Sequence, residues 1–339
     1  MNFDFTDDQQ AIKRTANEML AARFKPERVR ELAEAGEHDD GAWKEMSELG
    51  WAGIFIDEEH GGQGLGVVEL VILMEELGYA LAPVPLLSNA AAGLALQFAG
   101  SGEQKERWLP GIASGQARGT VGMVRDGEAR LVPDADSAEV IVLIGLDGPA
   151  SVVPASEAEI EPLETMDRTR RFARVRAEGG EPLAGDCVAA GDRIATALSA
   201  ETVGVAQKAM EMAVEYARDR KQFGRPIGSY QAVSHRCAQM LLEVEGARSA
   251  VYYAAWCADS EPDSLAAASS MAKAYSSDAG WRVCGSSLQV HGGIGFTWEH
   301  DLHFYLKRAK TNAILCGSAS EHRERLAELT LQPATTTAA

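Results

Sequence analysis

Apolar residues along positions 1–115 recur every three or four places, the spacing that lines one face of a helix. Thr6 stands before Asp7, Asp8 and Gln9, a capping-box-like start with acids at the positive end of the helix dipole, and the pattern runs to about Arg23. Stretches 43–49, 67–77, 85–98 and 103–112 continue it. The rhythm changes over 119–183, where β-branched runs at 138–144 and 151–154 and an alternating run at 171–176 predict a small antiparallel β-region. Beyond 185 the helical rhythm returns, at 192–219, 229–258, 263–290, 300–310 and 319–328. The run Ala266-Ala-Ala-Ser-Ser-Met-Ala-Lys273 is rich in small residues, which lets helices approach closely. The expected division is a helical domain at 1–115, a reduced β-domain at 116–184, a helical bundle at 185–330 and a frayed tail at 331–339.

Composition narrows the partners. A chain of 339 residues with 46% hydrophobic and 24% charged residues suits a soluble globular protein with a sizeable core. No apolar stretch reaches the roughly 18 residues that span a bilayer, and the acidic N-terminus has neither a basic nor an apolar leader region. Five scattered cysteines, none in a CxxC pair, read as reduced thiols and a cytoplasmic location. The net charge of −18 argues against nucleic acid and anionic membranes. A phosphate-bearing ligand would need local basic clusters, which 218–225 and 307–310 offer.

Some candidate chemistry falls away early. The glycine loop Glu58-Glu-His-Gly-Gly-Gln-Gly-Leu-Gly66 fails as a dinucleotide fingerprint, because Val67 stands where the third glycine belongs. It reads as a loop whose glycines permit unusual backbone angles. His291, His300 and His303 lie near Glu299 and Asp301 but form no HExxH pattern, so they read as packed or surface histidines and no metal is expected. The 307–310 segment reads as a solvated helix face.

Two segments carry a specific resemblance. Arg220-Lys-Gln-Phe-Gly-Arg-Pro-Ile-Gly-Ser-Tyr-Gln231 and Gln289-Val-His-Gly-Gly-Ile-Gly-Phe296 resemble signature segments of the acyl-CoA dehydrogenase family, and Glu59-His-Gly-Gly-Gln-Gly64 resembles a third. The resemblance spans nearly the whole chain and implies a mainly α fold: N-terminal helical domain, reduced middle β-domain, C-terminal helical bundle. It implies FAD bound across a subunit interface. Arg220 would meet the pyrophosphate, Gln222 and Phe223 the adenosine side with Gln231 nearby, and Gln289, Gly292 and Gly293 the same dinucleotide. The physics suits those roles, since arginine offers phosphate a planar fork and paired glycines let backbone N–H groups come close.

Two departures from the family pattern bear on activity. Family chemistry removes a proton from Cα of an acyl-CoA while hydride leaves Cβ for the flavin, and a positioned carboxylate accepts the proton. Counted from Gly295-Phe296, the usual Glu-Gly-Thr is replaced by Cys316-Gly-Ser318. The family's alternative base position falls near Ile194, which cannot act, and Glu201 lies one turn or more away. Cys316 is a poor base, because a thiol titrates near 8.5 and an apolar site raises it. The stretch that usually enters the β-domain and holds the flavin ring is also missing, replaced by Gly119-Thr-Val-Gly-Met-Val-Arg-Asp-Gly127.

The resemblance therefore implies a non-catalytic subunit that completes the FAD site of a heteromeric acyl-CoA dehydrogenase. It is similar to the shorter subunit of actinobacterial α2β2 enzymes acting on CoA thioesters of steroid side chains. A full-length dehydrogenase subunit would be the partner, supplying the base and most of the acyl-CoA pocket, and an electron-transfer flavoprotein or similar acceptor would take the electrons. The alternatives are a homomeric dehydrogenase with Glu201 or Cys316 as a displaced base, and a flavin-free binding or regulatory protein on the same fold.

Overall fold

The computed structural model describes residues 4–145 and 150–331. Six helices come first: α1 (Asp7–Arg23), α2 (Pro26–Ala35), α3 (Asp40–Glu48), α4 (Val67–Ala80), α5 (Leu86–Ala99) and α6 (Gly102–Ala113). The capping box at α1 forms, with Gln9 N–H donating to Thr6 Oγ1 at 3.2 Å and Thr6 N–H donating to Gln9 Oε1 at 3.0 Å. Helix α2 is an addition to the sequence reading. Pro26 opens its first turn, Val29, Leu32 and Ala33 are buried, and Gly36 closes it at a φ of 68°. The apolar run after α3 is a 3-10 turn (Trp51–Gly53) whose residues are all buried. In the glycine loop behind it, a Cβ at Gly62 would lie 2.0 Å from the Ile56 carbonyl oxygen, so the loop folds over that turn only because Gly62 has no side chain.

Seven strands follow: β1 (Gly119–Arg125), β2 (Glu128–Pro133), β3 (Val140–Gly145), β4 (Ala150–Pro154), β5 (Glu159–Leu163), β6 (Phe172–Arg176) and β7 (Glu181–Pro182). They form one sheet in the order β5-β6-β2-β1-β3-β4-β7. The expected all-antiparallel arrangement is corrected at one place: β1 and β3 are parallel. Strand β2 turns back along β1 and the chain then crosses to the other edge of β1, so β3 runs the same way as β1. One face of the sheet packs Ala129, Val132, Ile141, Leu143 and Val175 into a small core of its own. The other face, through Val140, Val142, Ala150 and Val152, joins the main helical core. Strand β3 is therefore buried on both sides, which explains its unbroken apolar run.

The second helical set is α7 (Cys187–Asp219), α8 (Gln231–Ser260), α9 (Pro262–His291), α10 (Leu302–Ile314) and α11 (Ala319–Leu331), with a two-stranded hairpin, β8 (Lys221–Gln222) and β9 (Arg225–Pro226), between α7 and α8. The tail expected at 331–339 lies, from 332 onward, outside the described residues. Helix α7 crosses α4 at a pair of glycines. A Cβ on Gly204 would fall 1.9 Å from the Glu75 carbonyl oxygen, and one on Gly78 would fall 2.0 Å from that of Glu201. Only residues without a Cβ permit that approach, and it fixes the middle of α7 against the N-terminal helices.

A buried polar link ties helices to sheet. Asp134 accepts from Ser88 Oγ at 2.6 Å and sits 3.0 Å from His38 Nε2, all nearly out of solvent. Burial would raise the Asp134 carboxyl, but His38, Arg170 and Ser88 together outweigh it and hold the group below the ordinary carboxylate range. Serine and histidine both address the aspartate and not each other, so the trio is structural, not a nucleophile with its base.

Candidate cofactor and active site

Helix α7 ends in an exposed arm. Arg220 caps it, its N–H donating to the Tyr216 carbonyl at 2.9 Å. Its exposed guanidinium has no hydrogen-bond or ion-pair partner among the described residues. The hairpin turns on Phe223 (φ 51°) and Gly224 (φ 79°), both left-handed as a tight two-residue turn requires. Phe223 stands 92% exposed at its tip. Gln222 is exposed, its carbonyl accepting from Tyr230 Oη at 3.2 Å, and Arg225 lies over the Tyr230 ring at 4.0 Å. Gln231 is the first residue of α8 and is also exposed.

The second segment is the end of α9. Gln289 is exposed, and Gly292 breaks the helix at φ 63° and ψ −139°. A side chain on Gly292 or Gly293 would meet nothing within 4 Å, so the surface here is uncrowded, while the Gly292 N–H donates to the Leu288 carbonyl. The two arms belong to one end of the bundle, because the Tyr216 ring one turn before Arg220 stacks on His291, the residue before Gly292, at 4.7 Å between centroids. All seven predicted contacts thus lie on two neighbouring arms. An unpaired guanidinium, an uncrowded glycine pair and a bare aromatic ring suit a nucleotide pyrophosphate with a base to stack.

The presumed base position lies elsewhere on the chain. After α10, Leu315 leads into Cys316 and Gly317, at φ 56° and 92°, before α11 begins. The Cys316 carbonyl accepts from His322 Nε2 at 2.7 Å. Burial pushes the thiol up from its ordinary range, against an opposing pull from Lys273 and Arg170. Lys273 is itself buried and donates to Ser277 Oγ at 2.9 Å and to the Asn312 carbonyl at 3.0 Å. Burial brings its ammonium down to about 8. No residue from Leu315 to Ser318 is a carboxylate, and Glu321 from the first turn of α11 is engaged as a cap, its Oε2 accepting the Ser318 N–H at 2.7 Å.

Glu201, the displaced-base candidate, is fully committed. Its Oε1 accepts from Arg170 Nη2 at 2.5 Å and Arg308 Nη1 at 2.8 Å, and its Oε2 accepts from Asn312 Nδ2 at 2.7 Å. Arg308 also reaches Asp167 Oδ2 at 2.8 Å through Nε, and both the carbonyl and Oγ1 of Thr169 at 2.7 Å through Nη2. Burial alone would raise the Glu201 carboxyl, but Arg170 and Arg308 prevail and hold it below its ordinary range. A carboxylate buried and held by two arginines is a weak base, which argues against the homomeric alternative with Glu201 as base. The solvated face expected at 307–310 is corrected as well. Arg308 is 1% exposed, and Lys307 and Lys310 lie over the rings of Trp298 and Trp281 at 4.3 and 5.0 Å. Sequence reasoning missed this network because Asp167, Arg170, Glu201 and Arg308 are scattered along the chain, each looking like surface charge.

His300 and His303 do not assemble a metal site. His300 Nδ1 accepts from the Leu302 N–H at 3.2 Å, and His303 Nδ1 faces Lys307 Nζ at 3.4 Å.

Fold and site meet in one family. Residues 6–116 match the acyl-CoA dehydrogenase N-terminal domain and residues 190–331 the C-terminal domain. The chain belongs to the acyl-CoA dehydrogenase family, a class of FAD-dependent oxidoreductases. It is 36% identical over 322 residues to the acyl-CoA dehydrogenase IpdE2 of Mycobacterium tuberculosis, covering 94% of this chain and 96% of that one. Among solved structures it superimposes on the ChsE4-ChsE5 complex from Mycobacterium tuberculosis with a TM-score of 0.89 at 27% identity, covering 98% of this chain and 100% of that one. A variant of the Tcur3481-Tcur3483 steroid acyl-CoA dehydrogenase gives a TM-score of 0.87 at 27% identity, with 96% and 98% covered. Among the described residues no helix is long and apolar enough to cross a membrane.

Proposed function

We propose that this chain is the base-lacking subunit of a heteromeric acyl-CoA dehydrogenase, completing an FAD site whose catalytic carboxylate belongs to a longer partner. The observation that carries this reading is the turn at Cys316: it presents a half-buried cysteine whose thiol holds its proton more tightly than usual, while Glu201 is locked between two arginines and Glu321 caps the Ser318 N–H. FAD, when bound, supplies the acceptor for the substrate hydride. In this reading Arg220 neutralises the pyrophosphate, Gly292 and Gly293 leave room for it to come close to the backbone, and Gln222, Phe223, Gln231 and Gln289 flank the adenosine. The partner's carboxylate takes the α-proton, and a soluble electron-transfer flavoprotein or similar acceptor reoxidises the site.

Likeness to the ChsE4-ChsE5 complex and to a steroid acyl-CoA dehydrogenase supports a steroid-type CoA thioester as substrate and an α2β2 assembly. Exposed Leu241 and Leu242 on α8, with Phe223 and Phe296, supply apolar surface for such a partner. A cytoplasmic site of action accords with the free cysteines. Co-expression with a full-length dehydrogenase tests the reading. The lone chain is expected colourless or poorly soluble, and the co-expressed complex yellow and active on a steroid-side-chain CoA thioester. A yellow, active lone chain would overturn it.

A further inference from the structure

We infer that His291 is a positioning residue for the flavin site: as a neutral ring it holds the two cofactor-facing arms in register. This rests on the shared-site reading above. Arg220 and Gly292 are far apart in sequence, yet each hangs from a member of one stack. The Arg220 N–H donates to the Tyr216 carbonyl, and Gly292 follows His291 directly. The Tyr216 and His291 rings lie 4.7 Å apart and 27° from parallel. A displacement of either ring displaces the guanidinium relative to the glycine pair.

The ladder has a third rung. The His300 ring lies 4.4 Å from that of His291, tilted by 60°. Its Nδ1 accepts the Leu302 N–H at 3.2 Å and so caps the start of α10. His291 Nδ1 lies 2.8 Å from the Ser287 carbonyl, which requires the proton on Nδ1. The ends of α7, α9 and α10 are therefore joined through three rings whose tautomers are set by backbone groups.

Both histidines must stay neutral for this arrangement. Protonating both His291 and His300 would set two cations with ring centroids only 4.4 Å apart. Protonated His300 would turn Nδ1 from acceptor to donor against the Leu302 N–H and lose the cap. The groups around them are Tyr216 on α7, Arg30 on α2, Asp301 beside His300, and His303 and Lys307 on α10. Burial first, then His300, lowers the proton affinity of His291, with the Ser287 carbonyl opposing. Burial and Arg30 do the same at His300, with Asp301 opposing.

The test uses the co-expressed complex. Flavin content and the rate of FAD loss are read by absorbance from pH 8 to 5.5, and assembly by sedimentation, for wild type, His291→Ala, His291→Phe and Arg220→Ala. His291→Ala is expected to lose FAD about three- to tenfold faster at neutral pH while still assembling. His291→Phe keeps a stacking ring, so it is expected to retain FAD at neutral pH and to show a flatter acid profile. Wild-type retention in His291→Ala alongside loss in Arg220→Ala would overturn the positioning role and leave the shared site standing. Equal FAD loss in the Phe and Ala variants, or an unchanged acid profile in the Phe variant, would also overturn it. Full retention in Arg220→Ala would instead remove the shared-site reading itself. If His291→Ala does not assemble, the phenylalanine variant's acid profile decides.

Discussion

Arg308 on α10 and Glu201 on α7 meet at 2.8 Å with both side chains almost wholly removed from water. Removing one partner of such a pair strands the other charge, at a cost of about 3–5 kcal/mol. Arg308→Ala is therefore expected to yield little soluble complex or a sharply lowered denaturation midpoint. A variant as stable as wild type would show that the network contributes nothing.

Cys316 should be dispensable for turnover. Cys316→Ala is expected to leave kcat of the complex within about twofold, since a thiol base would instead contribute on the scale of general base catalysis, roughly 100-fold or more. The left-handed φ of 56° makes shape matter more than chemistry here. Cys316→Val is expected to lower stability by about 1–2 kcal/mol, read by thermal melting.

Arg220→Ala should weaken FAD retention by roughly 10- to 100-fold, the scale of a charge-assisted hydrogen bond lost from a phosphate. Equilibrium dialysis of the complex against free FAD measures it. Arg220→Lys should recover only part of the loss, because an ammonium cannot present the planar fork.

Stability should fall on the acid side through His303. Burial first, then Lys307, Arg30 and His300, bring this ring down to about 4 in the folded chain, against about 6.5 unfolded. Above pH 6.5 the ring is neutral in both states and contributes nothing to the pH dependence. Between 6.5 and 4 the unfolded chain binds a proton that the folded chain does not, so stability declines as pH falls. Denaturation of His303→Gln is expected to show a shallower slope in that window, and an unchanged slope would assign the effect to other groups.

Gly204→Ala should separate α4 from α7, because its methyl would fall 1.9 Å from the Glu75 carbonyl oxygen. Overpacking of this kind costs about 1–3 kcal/mol. The melting temperature of the complex is the measurement, and an unshifted value would mean that the crossing relaxes freely.

The helices were largely readable because caps and period act locally: the Thr6 box and the long rhythm of α7, α8 and α9 need no tertiary partner. Helix α2 escaped because only Val29, Leu32 and Ala33 mark its buried face. Strands β1 and β2 escaped because glycine, methionine, arginine and glutamate interrupt their alternation. The residues proposed to meet the flavin nucleotide came from the two signature segments, which the structure brings to one end of the bundle. The fate of Glu201 was not, since a charge reads alike in sequence whether it faces water or two buried arginines.

The bare Phe223 ring, with Phe296 at 74% and Trp298 at 65% exposed, has a consequence for the life of the chain before any chemistry starts. In the two-subunit assembly proposed above, a newly made copy still without its partner would display the adhesive surface that chaperones and proteases recognise. Unmatched copies would be cleared, and the ratio of the two subunits would then be kept by quality control and not by equal synthesis.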